Sequence, residues 1–176
     1  RDILLEAGVV EDAFEVVVGG VDAGAALVSA TATKLIVFTG HPATGRAIAR
    51  AAADNLTPIA LELGGKSPQV VFEDADLDAA VEAISLGVFA SCGQMCIAGS
   101  RLLVHESVAD ELMEMLAART QSLKLGSPFV SGTDLGPQIT RAQQEKTRGF
   151  IQQALEEGGE LIAEGDLPDD PALSDG

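Results

Sequence analysis

Two segments of the chain carry side chains that can do covalent chemistry. Cys96 ends the segment Gly93-Gln94-Met95-Cys96, where a glycine interrupts an apolar stretch and predicts an accessible loop. Glu62 lies near the end of an apolar run, directly before Leu63 and two glycines. A thiolate can form a covalent adduct with an electrophilic carbon, and a carboxylate can activate water. These are the two groups that acyl transfer through a thioester needs.

Each of these residues also has an ordinary structural interpretation. Cysteine is among the most frequently buried residue types, and Cys92 fits that role better than Cys96. A glutamate before two glycines can be a solvated strand end. Alternatively, apolar surroundings would desolvate Glu62 and make it a more useful general base near neutral pH. At this point both interpretations of each residue stay open.

A third segment has the form of an anion site. Thr39, Gly40, His41 and Gly45 lie where a predicted strand gives way to a helix that begins at Pro42. The first N–H groups of a helix are free, its dipole is positive there, and glycine lets a pyrophosphate come close. The spacing differs from the Gly-x-Gly-x-x-Gly fingerprint, so a plain strand-turn-helix remains the alternative.

The elements that position these residues alternate along the chain. Short β-branched runs alternate with Ala-rich amphipathic stretches, which is typical of βαβ units with a parallel sheet. Strands are predicted at residues 14–18, 35–39, 59–63, 68–72 and 102–105. Helices are predicted at residues 1–7, 23–30, 42–55, 76–89, 108–123 and 141–157. The predicted fold class is therefore α/β.

Composition and charge exclude several classes of function. With 176 residues, 47% of them hydrophobic, the chain can bury a sizeable core. A net charge of -16, from 11 basic and 27 acidic residues, argues against nucleic-acid and anionic membrane surfaces. No apolar run reaches the roughly 18 residues of a membrane span and no signal peptide is evident, so we expect a cytoplasmic protein. The acidity is also compatible with adaptation to high salt.

A metal site is not expected from the sequence. The two cysteines are too few for a disulfide framework, and the two histidines, His41 and His105, lie far apart in the sequence. A structural zinc site needs about four ligands. We therefore expect chemistry that relies on the thiol and the carboxylate.

Taken together, the motifs resemble the NAD(P)-dependent aldehyde dehydrogenase superfamily in order and spacing. The segments that carry this resemblance are Phe38-Thr39-Gly40 with Gly45, Leu61-Glu62-Leu63-Gly64-Gly65-Lys66-Ser67-Pro68, Asp74-Ala75-Asp76 with Ala80-Val81, Gly93-Gln94-Met95-Cys96, Ala98-Gly99-Ser100-Arg101 and Gly136-Pro137-Gln138. The resemblance implies an aldehyde-dehydrogenase-like fold. Residues 1–64 would be the C-terminal part of a Rossmann-type cofactor domain, residues 65–164 the N-terminal part of an α/β catalytic domain, and residues 165–176 a loop or frayed tail.

The resemblance also implies roles for individual residues. Cys96 would attack an aldehyde to form a thiohemiacetal that becomes a thioester, with its own N–H in the oxyanion hole. Glu62 would activate the water that releases the carboxylic acid, which indicates the hydrolytic branch of the superfamily. The cofactor, NAD or NADP, would contact Thr39, Gly40, His41, Gly45, Leu63, Gln143 and Lys146.

The chain departs from the family pattern in ways that keep alternatives open. His41 replaces the usual serine, and histidine is a less favoured helix cap and a bulkier neighbour for a phosphate. Further cofactor and oxyanion motifs of the family lie outside the chain, so we expect a part of a longer enzyme, itself a homo-oligomer. The alternatives are an inactive fragment or interaction module, and a thiol hydrolase that uses Cys96 and Glu62 without cofactor.

Overall fold

The structure consists of two compact units and is known from a computed structural model. It describes residues 1–166, so most of the predicted tail at 165–176 lies outside the described residues. The units are Arg1–Gly64 and Gly65–Gly176. Their assignment to cofactor binding and to catalysis stays a prediction.

The first unit is built around one βαβ motif. Its elements are α1 (Asp2–Glu6), a short 3-10 helix (Glu11–Ala13), α2 (Val21–Ser29), β1 (Ile36–Gly40), α3 (Pro42–Asp54) and β2 (Ile59–Leu63). The two strands are parallel, with Ile36 opposite Ile59 and Gly40 opposite Leu63. Helix α3 connects them and packs against both. The predicted parallel arrangement is therefore present in this unit.

A glycine lets α3 approach β2 closely. Gly45 is buried, and a Cβ added to it would lie 2.9 Å from Cδ2 of Leu63. A larger residue would force the Leu63 side chain or the helix to shift, because that separation is below van der Waals contact. The packing of α3 on β2 thus depends on Gly45.

The strand predicted at residues 14–18 is wrong. This segment belongs to neither of the two sheets that the structure describes. Val16, Val17 and Val18 are all exposed. Valine has a high β-propensity, but that propensity reflects packing against neighbours on a pleated surface, which this segment does not have.

The second unit contains the remaining elements. They are β3 (Pro68–Val71), α4 (Leu77–Phe89), a 3-10 helix (Ala90–Gly93), β4 (Arg101–Val104), α5 (Glu106–Ser122) and α6 (Arg141–Glu156). Strands β3 and β4 are parallel, with Pro68 opposite Arg101 and Val71 opposite Val104. Their connection through α4 makes this a second βαβ motif.

The hydrophobic core of the second unit lies between β3, α4 and α5. Val71, Val81, Ile84 and Leu112 form it, and Leu112 has 0% of its surface exposed. Asp76 caps the N-terminus of α4, since its carboxylate accepts a hydrogen bond of 3.1 Å from the N–H of Ala79. This core supports β3 and α4, and the loop that carries Cys96 lies between α4 and β4.

Candidate active site

Cys96 lies on an exposed turn between α4 and β4. The turn is closed by a hydrogen bond of 3.1 Å from the N–H of Ala98 to the carbonyl of Met95. The Cys96 side chain is exposed. Within residues 1–166, neither its thiol nor its N–H has a hydrogen-bond partner. The turn therefore presents a free thiol and a free N–H donor side by side.

The chain reaches this turn through a run of left-handed residues. Ser91 has a φ of 51° and Cys92 a φ of 58°, and Gly93 follows with a φ of 70°. The left-handed region is unfavourable for residues with a Cβ, so Ser91 and Cys92 must be held there by their surroundings.

Three hydrogen bonds hold this segment against residues 136–139. The Cys92 thiol donates to the Gly136 carbonyl at 3.2 Å. The Gln138 side-chain amide donates to the Cys92 carbonyl at 3.1 Å. The N–H of Ile139 donates to the side-chain oxygen of Gln94 at 3.0 Å. The N-terminal side of the Cys96 turn is thereby tied to a segment far away in sequence.

The C-terminal side of the turn is held by Gln69 on β3. Its amide donates to the Gly99 carbonyl at 3.0 Å, while the Gly99 N–H donates to the Gly87 carbonyl at 2.9 Å. A Cβ at Gly99 would overlap the Gln69 amide, and one at Gly87 would lie 2.8 Å from its oxygen. Both glycines are needed so that Gln69 fits between them.

In the first unit, the predicted site residues gather at the carboxyl ends of β1 and β2. Thr39 lies opposite Glu62, and Gly40 lies opposite Leu63. Thr39 and Glu62 are exposed, whereas Leu63 contacts Gly45 of α3. Ligands of open α/β sheets bind at such strand ends. Along β2, Glu62 is exposed, whereas its neighbours Leu61 and Leu63 are half-buried.

His41 caps α3. Its Nδ1 accepts a hydrogen bond of 3.1 Å from the N–H of Ala43. A ring nitrogen without a proton can accept as a serine oxygen would, which the general ranking of cap residues does not show. Pro42 has no N–H, so Thr44 carries the first-turn N–H that has no partner within residues 1–166. The candidate anion site therefore has fewer free N–H groups than an uncapped helix would offer, but it keeps the Thr44 N–H and the glycine at the strand end.

Gln143 and Lys146 lie on one face of α6. They are three residues apart, which places their side chains next to each other on a helix. Both are exposed, and the Lys146 ammonium lies 5.9 Å from the centre of the Phe150 ring. Thr140 begins the helix, since its side chain accepts from the Gln143 N–H at 3.3 Å. The predicted pair is thus presented on a single exposed helical face.

Three groups of the site were missed by the sequence analysis. Gln69 had a signal, because an amide in an otherwise apolar strand needs a polar partner. The free N–H of Thr44 could have been found by counting donors after Pro42 and a cap residue. Gln138 had only its position after Gly136-Pro137, which says nothing about its partner.

A separate cavity lies between α4 and α5, outside the Cys96 turn. Its volume is about 390 Å³, and its lining includes Ser85, Leu86, Phe89, Arg119 and Leu123. Cys96 is not among the lining residues. Within residues 1–166, no group of three or more His, Cys, Asp or Glu side chains could hold a metal ion. None of the helices described is long and apolar enough to cross a membrane.

A comparison with known families decides what kind of protein this is. The model of the family described as "Aldehyde dehydrogenase family" matches residues 1–176. The chain belongs to the aldehyde dehydrogenase family. The predicted superfamily is therefore confirmed.

Individual aldehyde dehydrogenases resemble this chain along most of its length. The betaine aldehyde dehydrogenase of Rhizobium johnstonii is 43% identical over 167 residues, which is 95% of this chain and 34% of that protein. A (Z)-2-((N-methylformamido)methylene)-5-hydroxybutyrolactone dehydrogenase of Acinetobacter baylyi is 43% identical over 165 residues, 93% of this chain and 34% of that protein. This aldehyde dehydrogenase chain thus spans about a third of the length of the curated relatives it matches.

Solved aldehyde dehydrogenase structures show the same fold. The betaine aldehyde dehydrogenase of Staphylococcus aureus, solved in complex with NAD+, superposes with a TM-score of 0.92 at 35% identity. The match covers 99% of this chain and 35% of that one. The predicted aldehyde-dehydrogenase-like α/β fold is therefore confirmed.

Proposed function

We propose that this member of the aldehyde dehydrogenase family takes part in the oxidation of an aldehyde to a carboxylic acid, with Cys96 as the nucleophile. The observation that carries the proposal is the exposed Cys96 turn. It is held at both ends, yet leaves the thiol and the N–H of the same residue free. A nucleophile needs a fixed position and an unobstructed reacting atom.

The chemistry at Cys96 begins with an attack of its sulfur on the aldehyde carbon. A carbon–sulfur bond forms while the carbonyl π electrons move to the oxygen, which gives a thiohemiacetal. The free N–H of Cys96 donates to that oxygen and stabilises its developing negative charge. Once the adduct is oxidised to a thioester, the sulfur becomes the leaving group.

Glu62 is proposed as the base for hydrolysis of the thioester. Its carboxylate accepts a proton from water as the water oxygen attacks the acyl carbon. The carbon–sulfur bond then breaks and the carboxylic acid leaves. The exposure of Glu62 at the end of β2 suits this role, since water has access to the carboxylate.

NAD or NADP is the proposed cofactor, and it supplies the hydride acceptor when bound. The first unit fits its pyrophosphate, because the free N–H of Thr44 and the Gly40 backbone lie at the N-terminus of α3. Thr39, His41 and Leu63 surround the same strand ends. Gln143 and Lys146 offer an amide and an ammonium for a ribose hydroxyl.

Replacement of the nucleophile tests the proposal. We expect Cys96→Ala to lower aldehyde-dependent formation of reduced cofactor by about 10³-fold or more, because the covalent route is lost. The matched control is Ser131→Ala on an exposed loop, which should keep wild-type turnover. Turnover by Cys96→Ala at the wild-type rate would refute the assignment. Betaine aldehyde is the first substrate to try, because several relatives are named for it.

Replacement of the base separates the two halves of the reaction. In Glu62→Gln, we expect a single burst of reduced cofactor followed by steady turnover lowered by about 10²-fold. Mass spectrometry of the Cys96 peptide should then show the acyl adduct. Glu160→Gln, an exposed isosteric control, should show neither effect. Steady turnover without adduct in Glu62→Gln would exclude Glu62 as the base.

A second candidate concerns the 176-residue polypeptide by itself. The chain covers 34% of the length of its relative from Rhizobium johnstonii. We propose that turnover needs the remaining length and that the isolated chain shows little or none, since positioning of both reactants supplies much of the rate. Near-ultraviolet absorbance of reduced cofactor, recorded with a panel of aldehydes, measures this directly. Robust turnover by the isolated chain would contradict it.

A further inference from the structure

We propose that Gln138, Gln94 and Cys92 act as a clasp that positions the nucleophile. The clasp is defined by three hydrogen bonds. They join Cys92 and Gln94 to the Gly136 carbonyl, the Gln138 side chain and the Ile139 N–H. The inference rests on the proposed role of Cys96, because it assigns positioning residues to that thiol. None of these three residues is proposed to contact the reacting atoms.

The pattern of the bonds resists movement of one segment along the other. The segment with Cys96 donates through the Cys92 thiol, and it accepts through the Cys92 carbonyl and the Gln94 side chain. Each segment is therefore both donor and acceptor, and a shift in either direction breaks at least two bonds of good length. Two of the contacts involve partly buried groups, where an unpaired polar atom is costly.

The clasp acts on a residue in an unfavourable backbone conformation. Cys92 has a φ of 58° and takes part in two of the three bonds, as donor through its thiol and as acceptor through its carbonyl. Backbone strain of this kind persists only where the surroundings determine the conformation, and it is concentrated at functional sites. Without the clasp, residues 91–93 would relax and the turn that carries Cys96 would lose its position.

The clasp also connects the nucleophile to the proposed cofactor helix. Residues 136–139 lead through Thr140 directly into α6, whose exposed face carries Gln143 and Lys146. All these residues belong to the second unit. Gln138 thus lies on the short path between the thiol and the start of α6, and its loss should disturb the attack by Cys96 more than the binding of either reactant.

The test replaces Gln138 by methionine in the full-length protein. Methionine has a similar length but cannot donate to the Cys92 carbonyl. We expect kcat to fall by about 10- to 100-fold while both KM values stay within about threefold, because misplacement of the nucleophile affects the chemical step. Amide exchange at Gln94 and Ile139, whose N–H groups are hydrogen-bonded to the Ser91 carbonyl and to the Gln94 side chain, should rise by about 10-fold or more without cofactor, with α5 unchanged. Gln152→Met on exposed α6 is the matched control and should change none of these.

A second pair of variants keeps the test informative if Gln138→Met is unstable. Cys92→Ala removes the donor to the Gly136 carbonyl, whereas Cys92→Ser keeps a donor at the same position. We expect Cys92→Ala to show raised exchange at Gln94 and Ile139 and a lowered kcat. Cys92→Ser should restore both to within about threefold of the wild type, because a hydroxyl donates at least as well as a thiol.

The outcomes separate the clasp from the proposed function. Exchange at Gln94 and Ile139 in Gln138→Met that equals the exchange in Gln152→Met would overturn the clasp, and so would equal effects of Cys92→Ser and Cys92→Ala. These readings do not depend on turnover. If Cys96→Ala keeps its activity, the proposed function fails, whereas raised exchange in Gln138→Met would still support the clasp as a structural restraint.

Discussion

At the scale of single residues, the Cys96 turn depends on small differences in side-chain size. Gln69 fits between Gly87 and Gly99 because neither has a Cβ, and its amide reaches the Gly99 carbonyl. A close-packed interior has no room for an added methyl group unless something moves. The position of residues 98–100 therefore depends on the absence of a Cβ at Gly87 and Gly99 and on the hydrogen bond of the Gln69 amide.

Gly99→Ala should displace Gln69 and with it the C-terminal side of the turn. We expect a loss of about 1–3 kcal/mol in the free energy of unfolding, as for other overpacked sites. The control is Gly149→Ala on α6, where a Cβ meets nothing within 4 Å. There, alanine should be neutral or stabilising by up to about 1 kcal/mol, since it favours helix. Urea denaturation of both variants measures the difference, and equal midpoints would contradict the packing argument.

His41 offers a second prediction at this scale. His41→Ala removes the acceptor for the Ala43 N–H and should destabilise the first unit by about 1 kcal/mol, the usual cost of a lost cap. His41→Asn should restore stability, because asparagine is a preferred cap residue. Thermal unfolding followed by circular dichroism compares the three proteins. The same midpoint for His41→Ala and the wild type would show that the cap contributes nothing.

At the scale of elements, each unit contains one βαβ motif that positions its candidate site residues. In the first unit, α3 crosses from β1 to β2 and leaves Thr39 and Glu62 side by side. In the second unit, the chain leaves α4 and must return to β4, and Cys96 lies on that return. The position of the proposed nucleophile, Cys96, therefore depends on how firmly β3, α4 and α5 pack.

Leu112→Ala tests that packing. Leu112 is fully buried against the core of β3 and α4, so the truncation should cost about 2–5 kcal/mol through lost burial and a residual cavity. Leu86→Ala is the matched control, because Leu86 on α4 is 72% exposed and should lose less than about 1 kcal/mol. Denaturant unfolding of the two variants gives the ranking. A larger loss for Leu86→Ala would refute this account of the core.

At the scale of the whole molecule, charge is the dominant property. The chain has 27 acidic and 11 basic residues and a net charge of -16; the Arg1–Glu11 ion pair is exposed, and the Arg119–Glu82 pair is partly buried on the Arg119 side. Exposed pairs contribute little to stability, so they do not offset the repulsion among the carboxylates. The compact state is therefore opposed by self-repulsion, which dissolved ions screen.

Added KCl should raise the thermal midpoint of unfolding. Between about 0.1 M and 1 M salt the screening length falls from about 10 Å to about 3 Å, which removes most of the repulsion between surface carboxylates. We expect a rise of several degrees, with the larger part below about 0.5 M. A neutral osmolyte at equal osmolality is the control. A midpoint that does not change with KCl would exclude repulsion as a major term.

The sequence was sufficient for the parts of the molecule that depend on near neighbours. Helix bounds agree with the predictions to within two residues, from α1 to α6, because caps and apolar periodicity act over about one turn. The parallel orientation of β1 and β2 follows from two strands joined by one helix. The family could also be identified, since the motif around Glu62 and the motif around Cys96 are each a continuous run of residues.

Only the tertiary structure shows which contacts hold the Cys96 turn in place. The bonds of Cys92 and Gln94 join residues 44 to 46 positions apart, and no local pattern of residues identifies such partners. Similarly, the exposure of residues 14–18 depends on which strands are available to pair with them. Local preferences are properties of the chain, whereas these contacts exist only where packing of separate elements brings their backbones within hydrogen-bonding distance.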